Sequence, residues 1–130
     1  MEGHCLAVKV YLEDTDAQGI VYHANYLKFF ERARSEILAG MGIELAGQGR
    51  GTQRFVVHEV EMKYRKPALL GDELEIVTSF EPLSEYRLLF HHGVHRDGDK
   101  APLVSAEVQV VCVDERGELI ELPNTFSAGA

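Results

Sequence analysis

The fold of this chain is decided at Asp14-Thr15-Asp16-Ala17-Gln18-Gly19-Ile20-Val21-Tyr22-His23-Ala24-Asn25-Tyr26, where one hydrophobic pattern ends and another begins. Before this stretch, apolar residues alternate with polar ones from about Cys5 to Glu13. This pattern predicts a strand whose buried face contains Leu6, Val8, Val10 and Leu12. After it, apolar residues recur at spacings of three and four, which predicts an amphipathic helix of about four to five turns whose buried face contains Leu27, Phe30, Ala33, Ile37, Leu38 and Met41. Because aspartate and glycine favour turns, we expect a short loop to join the strand to the helix.

The remainder of the chain has the composition of strands separated by turn residues. A glycine-rich coil is expected over Glu44 to Gly51. The predicted strands that follow it run over about Thr52 to Arg65, Glu73 to Phe80, Tyr86 to Arg96 and Pro102 to Glu115. Residues 1–130 therefore predict one α+β domain, in which a five-stranded antiparallel sheet wraps a long helix and its last four strands form a meander.

Charge and hydropathy limit the classes of partner. Thirteen Lys and Arg residues against 21 Asp and Glu residues give a formal net charge of −8, which disfavours nucleic acid and anionic membranes as main partners. No apolar run approaches the ~18 to 20 residues that span a bilayer, and the first residues carry no basic segment of a signal peptide. The two cysteines lack metal-ligand spacing. We expect a cytoplasmic protein without membrane insertion.

The loop before the helix has the residue types needed for chemistry on a carbonyl group. The first turn of a helix presents free backbone N–H groups and a partial positive charge, which polarise a carbonyl oxygen and stabilise the oxyanion formed from it. A carboxylate next to such a site can attack the carbonyl carbon or take a proton from water. The segment from Asp14 to Tyr26 combines both features.

This segment also carries a recognisable motif. Asp16-x-x-Gly19-Ile20-Val21-Tyr22-His23-Ala24-Asn25-Tyr26-Leu27, followed by Phe29-Phe30-Glu31-x-Ala33-Arg34, resembles the acyl-CoA thioesterases of the hotdog superfamily. It is most similar to the 4-hydroxybenzoyl-CoA thioesterase type and, within that type, to the short bacterial thioesterases associated with the Tol-Pal system. The stretch Tyr64-Arg65-Lys66-Pro67-Ala68 resembles the turn that follows the family's second strand.

The resemblance implies a hotdog fold, a homodimer with a continuous sheet or a homotetramer, and active sites at the dimer interface. It implies hydrolysis of an acyl-CoA with a short-chain or aromatic acyl group, and no cofactor apart from the coenzyme A of the substrate. By position, Asp16 matches the catalytic aspartate, which acts as nucleophile or general base. His23 matches the residue at the helix start whose backbone amide faces the thioester oxygen.

Further residues are candidates for binding the substrate. Four belong to the motif, namely Gly19, Tyr22, Asn25 and Tyr26. Glu31 follows His23 by about two helical turns, although an ion pair with Arg34 or Lys28 is an alternative role. His58 lies on the second predicted strand. The compact basic group Lys63, Arg65 and Lys66 suits the phosphates of coenzyme A. In related thioesterases a basic cluster follows the third strand, whereas this chain has the acidic stretch Glu81-Pro82-Leu83-Ser84-Glu85 there.

Other interpretations remain open from the sequence. Asp14 is interpreted as a structural turn residue, and Asp16 has the same alternative. His91, His92 and His95 do not suggest a metal site, because His91 and His95 would stand ~13 Å apart on a strand. A hotdog dehydratase would use His23 with Glu31, and a non-catalytic acyl-thioester sensor or scaffold is a third hypothesis.

Overall fold

The computed structural model of the chain describes residues 3–47 and 51–128. The predicted coil over 44–51 therefore lies partly outside the described residues. The strands are β1 (His4–Lys9), β2 (Arg54–Tyr64), β3 (Glu73–Pro82), β4 (Arg87–Arg96), β5 (Val104–Val113) and β6 (Leu119–Ile120), and the α-helices are α1 (Tyr26–Gly40) and α2 (Asn124–Ala128). The four long predicted strands are confirmed with ends within two residues of the observed ones. In the described ranges, no helix has the length and hydropathy of a membrane span.

Helix α1 is confirmed, but its buried face differs from the predicted one in the first turn. The buried side chains are Tyr26, Phe29, Phe30, Ala33, Arg34, Ile37 and Leu38, which recur every three or four residues. Leu27, expected in the core, is 40% exposed. Tyr26 and Phe29, which are 2% and 0% exposed, take its place, and burial of their large aromatic surfaces is favourable.

The C-terminal end of α1 is fixed by a glycine. Gly42 has a φ of +75°, a left-handed conformation that only glycine adopts without strain. Its amide donates to the Ala39 carbonyl at 3.0 Å, and the Ile43 amide donates to the Leu38 carbonyl at 3.1 Å. This is a Schellman motif, which satisfies the last carbonyls of the helix and turns the chain away from it.

The sheet is antiparallel, with the strand order β1-β3-β4-β5-β2 and β6 paired to β5. The predicted meander of the last four long strands is wrong in one respect, because β2 pairs with β5 rather than with β3. Strands β3, β4 and β5 do form a meander. Hydrophobic periodicity identifies the buried face of a strand but not its neighbour, so the pairing of β2 was not accessible from the pattern. The short elements β6 and α2 were also not predicted.

Strand β1 ends four residues before the predicted end. After Lys9, the Val10 amide donates to the Asp72 carbonyl at 2.9 Å, and the chain enters a 3-10 turn over Leu12–Asp14. Leu12, predicted to be buried, is 75% exposed. The alternation of apolar residues continues past Lys9 into the 3-10 turn. Periodicity alone therefore predicted a strand longer than the observed one.

The connection between β2 and β3 crosses the end of the sheet, because β4 and β5 lie between these two strands. Arg96 at the end of β4 anchors this connection, since its guanidinium donates to the Pro67 carbonyl at 2.8 Å and to the Asp72 carboxylate at 3.0 Å. The Ala68 carbonyl also accepts from the Val21 amide at 2.9 Å. The crossing segment, residues 65–72, is thereby held against the loop that precedes α1.

A polar cluster lies inside the core between α1 and the sheet. Arg34 Nη1 donates to His92 Nε2 at 3.1 Å, so the neutral imidazole carries its proton on Nδ1 and donates it to Thr78 Oγ1 at 2.8 Å. The Phe30 ring stacks on the His92 ring at 4.5 Å between centroids. At its outer end, Arg34 forms an ion pair with Glu31 at 2.8 Å. The helix-surface alternative for Glu31 is therefore observed.

Burial, together with the charge of Arg34 and the neighbouring His91, lowers the pKa of His92 from 6.5 to about 3. The folded protein therefore takes up this proton only at strongly acidic pH, whereas the unfolded chain takes it up near pH 6.5. Between these two pH values the unfolded state binds more protons, so the free energy of unfolding falls as the pH falls.

We predict that His92→Gln reduces this acid sensitivity, because glutamine accepts from Arg34 and donates to Thr78 without titrating. Between pH 6.5 and 4, wild type should lose stability faster than the variant, by up to about 1.4 kcal/mol per pH unit. Urea unfolding at a series of pH values measures both slopes, with the partly exposed His95→Gln as control. Equal slopes for wild type and His92→Gln would contradict the buried, neutral imidazole.

Candidate active site

The loop between β1 and α1 is a tight turn held by its own backbone. The Asp16 amide donates to the Ile20 carbonyl at 2.9 Å, and the Gly19 amide donates to the Asp16 carbonyl at 3.1 Å. Gly19 has a φ of +78°, so a side chain at this position would strain the turn. The Gly19 carbonyl accepts from the Leu70 amide at 3.1 Å, which fixes the turn to the crossing segment. Gly19 therefore allows the turn to form and holds it against the crossing segment.

Asp14 fastens the start of this loop to its end. It is 7% exposed, and its carboxylate accepts from the Tyr11 amide at 2.9 Å and from Asn25 Nδ2 at 3.0 Å. Its backbone carbonyl accepts from the Tyr22 amide at 3.0 Å. These contacts give Asp14 the structural role expected for it. The Asn25 side chain shares this role, because it donates to the Asp14 carboxylate.

Asp16 lies two residues further on and is only partly buried. Its Oδ1 atom accepts from the Gln18 amide at 2.8 Å, which orients the carboxylate within the turn. This is the hydrogen bond expected of a turn aspartate, and it occupies one carboxylate oxygen. The Asp16 side chain also lines a cavity, which a purely structural turn residue does not require.

His23 lies where the chain enters the helix. It begins a 3-10 turn over His23–Asn25 that continues directly into α1. Among the residues that the structure describes, no side chain caps this turn at Tyr22. The Asn25 amide donates to the Tyr22 carbonyl at 2.8 Å. The N–H groups at the start of a helix otherwise lack partners inside the helix, so the His23 amide is suited to an oxygen of a ligand.

Tyr64, at the end of β2, fixes the position of this turn. Its hydroxyl donates to the His23 carbonyl at 2.8 Å, and its ring lies edge-on to His23 at 6.5 Å and to Tyr26 at 5.8 Å between centroids. Burial raises the pKa of Tyr64, so its hydroxyl stays protonated and able to donate at neutral pH. The contact connects the helix start to the edge strand.

A cavity of about 450 Å³ lies between the loop, the helix start and the crossing segment. Asp16 and His23 supply its polar groups near the helix start. The other lining residues are Gln18, Ile20, Val21, Tyr26, Tyr64, Arg65, Lys66 and Pro67. Its mixed aliphatic, aromatic and charged lining is typical of a small-molecule site.

The structure brings together five of the predicted site residues at this cavity, which are Asp16, His23, Tyr26, Arg65 and Lys66. Tyr26 is 2% exposed, and its hydroxyl accepts from the Ala68 amide at 3.2 Å, so it also supports the crossing segment. Burial, opposed by this hydrogen bond, raises the pKa of Tyr26.

The other predicted residues lie around the cavity or apart from it. Tyr22 is 49% exposed, with its ring 4.7 Å from that of His23. Glu31 is held by Arg34 on the helix surface. His58 lies on β2 at a register shift between Val57 and Glu59 and is exposed. Lys63 lines a separate cavity with Glu61 and Glu107.

Several lining residues were not predicted. Tyr64 stands directly before Arg65 and Lys66 in the quoted stretch, so its proximity to predicted residues was available as a signal. Gln18 and Pro67 carry no comparable signal, because they line the cavity only after the crossing segment packs on the loop. Within residues 3–47 and 51–128, no group of three or more His, Cys, Asp or Glu side chains is arranged to hold a metal ion.

We predict that Asn25→Ala destabilises the protein, because it leaves one oxygen of the buried Asp14 carboxylate without its partner. The free energy of unfolding should fall by about 1–3 kcal/mol in urea denaturation. A double-mutant cycle with Asp14→Ala isolates the shared term. Additive losses in that cycle would mean that the two side chains do not support each other.

Comparison with known proteins identifies the family of the chain. Residues 10–129 match the family model of the thioesterase-like superfamily. The chain is 41% identical over 107 residues to the acyl-CoA thioester hydrolase YbgC of Escherichia coli O6:H1, covering 82% of this chain and 79% of that protein. It is 39% identical over 113 residues to the acyl-CoA thioesterase YbgC of Haemophilus influenzae, with 86% and 82% covered. A probable thioesterase of known structure from Bartonella henselae has a TM-score of 0.84 and 35% identity, with 93% of this chain and 99% of that chain covered. The predicted hotdog fold is confirmed, and the chain belongs to the thioesterase-like superfamily.

Proposed function

We propose that this chain hydrolyses acyl-CoA thioesters to a free acid and coenzyme A. The observation that carries this proposal is the cavity lined by both the Asp16 carboxylate and the helix start at His23. The curated relatives that resemble the chain over about four fifths of its length are named acyl-CoA thioester hydrolases. A carboxylate and the amides of a helix start are together able to hydrolyse a thioester, the first as nucleophile or general base and the second as donors to the oxyanion.

In the proposed reaction, the thioester oxygen lies against the first-turn amides at His23. Negative charge develops on this oxygen when the carbonyl carbon is attacked, and preorganised N–H groups stabilise that charge more than they stabilise the neutral substrate. Removing one donor of this kind typically raises the barrier by about 2.7–4 kcal/mol. The helix start therefore acts mainly on the transition state.

The Asp16 carboxylate supports two routes from this arrangement. In one, its oxygen bonds to the carbonyl carbon, the C–S bond breaks, and water then hydrolyses the resulting anhydride to the acid and the free carboxylate. In the other, the carboxylate takes a proton from water, and the hydroxide formed attacks the carbonyl carbon while the thiolate leaves and is protonated. Both routes yield the same acid and thiol.

The cavity lining favours a short-chain or aromatic acyl group. The rings of Tyr26 and Tyr64 and the aliphatic side chains of Ile20 and Val21 give its walls apolar surface. Aromatic side chains interact favourably with planar acyl groups through offset or edge-on packing. A volume of about 450 Å³ lies within the range of small-molecule sites.

We further propose that the chain functions as a homodimer or a larger homo-oligomer joined through β2. This strand pairs on one side with β5 and forms the end of the strand order in the described part of the sheet. Its side chains Val56, Val57 and Val60 are 43%, 44% and 40% exposed. A long edge strand with exposed valines favours pairing with another strand. Pairing at β2 would place His58 and Tyr64 near the boundary between the two subunits.

We predict that Asp16→Asn lowers the rate of acyl-CoA hydrolysis by roughly 10²–10⁴-fold, because the amide neither attacks carbon nor accepts a proton from water. Release of free thiol from a panel of acyl-CoAs measures the rate. Glu13→Gln is the matched control, since it removes an exposed carboxylate three residues away and should retain wild-type activity.

Equal rates for Asp16→Asn and wild type would exclude Asp16 as the attacking or proton-accepting group. A wild-type protein that dehydrates hydroxyacyl-CoA without releasing thiol would favour the dehydratase hypothesis. Binding of acyl-CoA in a thermal-shift assay, without turnover of any substrate, would favour the sensor hypothesis.

We predict that Val57→Lys dissociates the oligomer, because it places a charge on the edge that is proposed to be buried between subunits. Light scattering coupled to size-exclusion chromatography should show a smaller molecular mass than for wild type, and circular dichroism checks that the fold is retained. Leu83→Lys, in the β3–β4 turn, changes an equally exposed residue (45%) away from this edge and should leave the mass unchanged. A monomeric wild type would contradict the proposed assembly.

A further inference from the structure

A second, smaller cavity adjoins the one that contains Asp16 and His23. Its volume is about 290 Å³, and it lies between the crossing segment and the β4–β5 turn. Arg65 and Lys66 line both cavities, so the two lie on either side of these residues. The wall on the far side contains Asp99, Lys100 and Pro102.

The backbone holds the two sides of this second cavity together. The amides of Arg65 and Lys66 both donate to the Leu103 carbonyl, at 2.8 and 3.1 Å. The Leu103 amide in turn donates to the Val94 carbonyl at 2.7 Å, which ties the β4–β5 turn to the sheet. Lys100 is therefore brought beside Lys66 by main-chain contacts, although 34 positions separate the two residues in the sequence.

The charge at this position contrasts with that of the whole chain. Three cationic side chains and one carboxylate line the cavity, whereas the chain as a whole has a formal charge of −8. A local cluster of cations on an acidic protein favours a small anion over an extended polyanion. The small volume of about 290 Å³ gives the same preference, because a surface for a macromolecule would be larger.

The three cations differ in their existing contacts. Arg65 donates from Nη1 to Ser105 Oγ at 2.7 Å, which turns its guanidinium toward β5. Lys63, which the sequence grouped with Arg65 and Lys66, lies with Glu61 and Glu107 in another cavity. Lys66 and Lys100 are therefore the two lysines that line this site. Lys100 was not part of the basic group predicted from the sequence.

We propose that this second cavity binds phosphate groups of the substrate's nucleotide, with Lys66 and Lys100 as the principal cations. This inference rests on the proposed hydrolysis of acyl-CoA. Coenzyme A is a long molecule with a thioester at one end and a 3′-phosphate and a pyrophosphate at the other, so it requires an acyl site and an anion site joined by a channel. The two neighbouring cavities, which share Arg65 and Lys66, suit that arrangement. The site also accounts for the acidic Glu81-Pro82-Leu83-Ser84-Glu85 turn, because phosphate recognition has a different location in this chain.

The test compares two thioesters of the same acyl group, one of coenzyme A and one of pantetheine, which lacks the nucleotide. In Lys66→Ala/Lys100→Ala, kcat/KM for the acyl-CoA should fall about tenfold or more, mainly through a higher KM, since charge-assisted hydrogen bonds to phosphate are lost. Hydrolysis of the acyl-pantetheine should fall less than that of the acyl-CoA. In Lys100→Ala, whose side chain does not line the cavity that contains Asp16, it should stay within about twofold of wild type while acyl-CoA hydrolysis still falls.

Arg116→Ala is the matched control for the loss of positive charge. Arg116 is exposed in the β5–β6 turn, at the opposite end of β5 from Lys100, and its removal should leave both substrates unaffected. Unchanged acyl-CoA kinetics in the double lysine variant would overturn the proposal. Equal losses for both substrates would also overturn it, because the lysines would then act on the acyl site or on folding.

Direct binding separates this proposal from the proposed function. Adenosine 3′,5′-bisphosphate, titrated by calorimetry, should bind to wild type and bind about tenfold more weakly to the double variant. This result would support the phosphate site even if wild type hydrolysed no acyl-CoA. Equal affinity of the two proteins, or no binding to wild type, would overturn the site while leaving the hydrolase proposal intact. Activity on thioesters of an acyl carrier protein, but not of coenzyme A, would assign these lysines to an acidic protein instead.

Discussion

The buried carboxylate of Asp14 is the constraint on which the proposed site depends. It accepts one hydrogen bond from the backbone that leaves β1 and one from the side chain of Asn25 at the start of α1. Asp16 and His23 both lie between these two fixed points, so their separation is set by a short, closed loop. A buried carboxylate that accepts a hydrogen bond on each oxygen stabilises one geometry, because a rearrangement that keeps it buried but loses a partner is costly.

The strand order determines which segment packs against this loop. Because β2 lies beside β5, the chain must cross the end of the sheet to reach β3, and Arg96 holds it there. The crossing segment forms the wall opposite Asp16 and carries Arg65 and Lys66 toward the β4–β5 turn. One topological feature therefore accounts both for the cavity around the helix start and for the cationic cavity beside it. Tyr64 links the two parts through its hydrogen bond to His23.

Much of this fold could be predicted from hydrophobic periodicity, because helix α1 and the long strands bury regular faces. The pattern did not reveal that β2 pairs with β5, since periodicity is the same for any antiparallel neighbour. The loop motif identified Asp16 and His23, which share a continuous stretch of sequence. Lys100 was missed because its approach to Lys66 depends on main-chain hydrogen bonds between distant segments. The burial of His92 was equally inaccessible, because its partners Arg34 and Thr78 come from two other elements.

The central claim is that a thioester carbonyl is held at the opening of α1 with Asp16 beside it. The most direct measurement is a crystal structure of the protein with an acyl-CoA analogue in which a methylene group between carbonyl and sulfur prevents hydrolysis. We expect the carbonyl oxygen at about 2.7–3.2 Å from the His23 amide nitrogen, with the Asp16 carboxylate facing the carbonyl carbon. An analogue whose carbonyl lies outside this cavity, or whose oxygen turns away from the helix start, would contradict it.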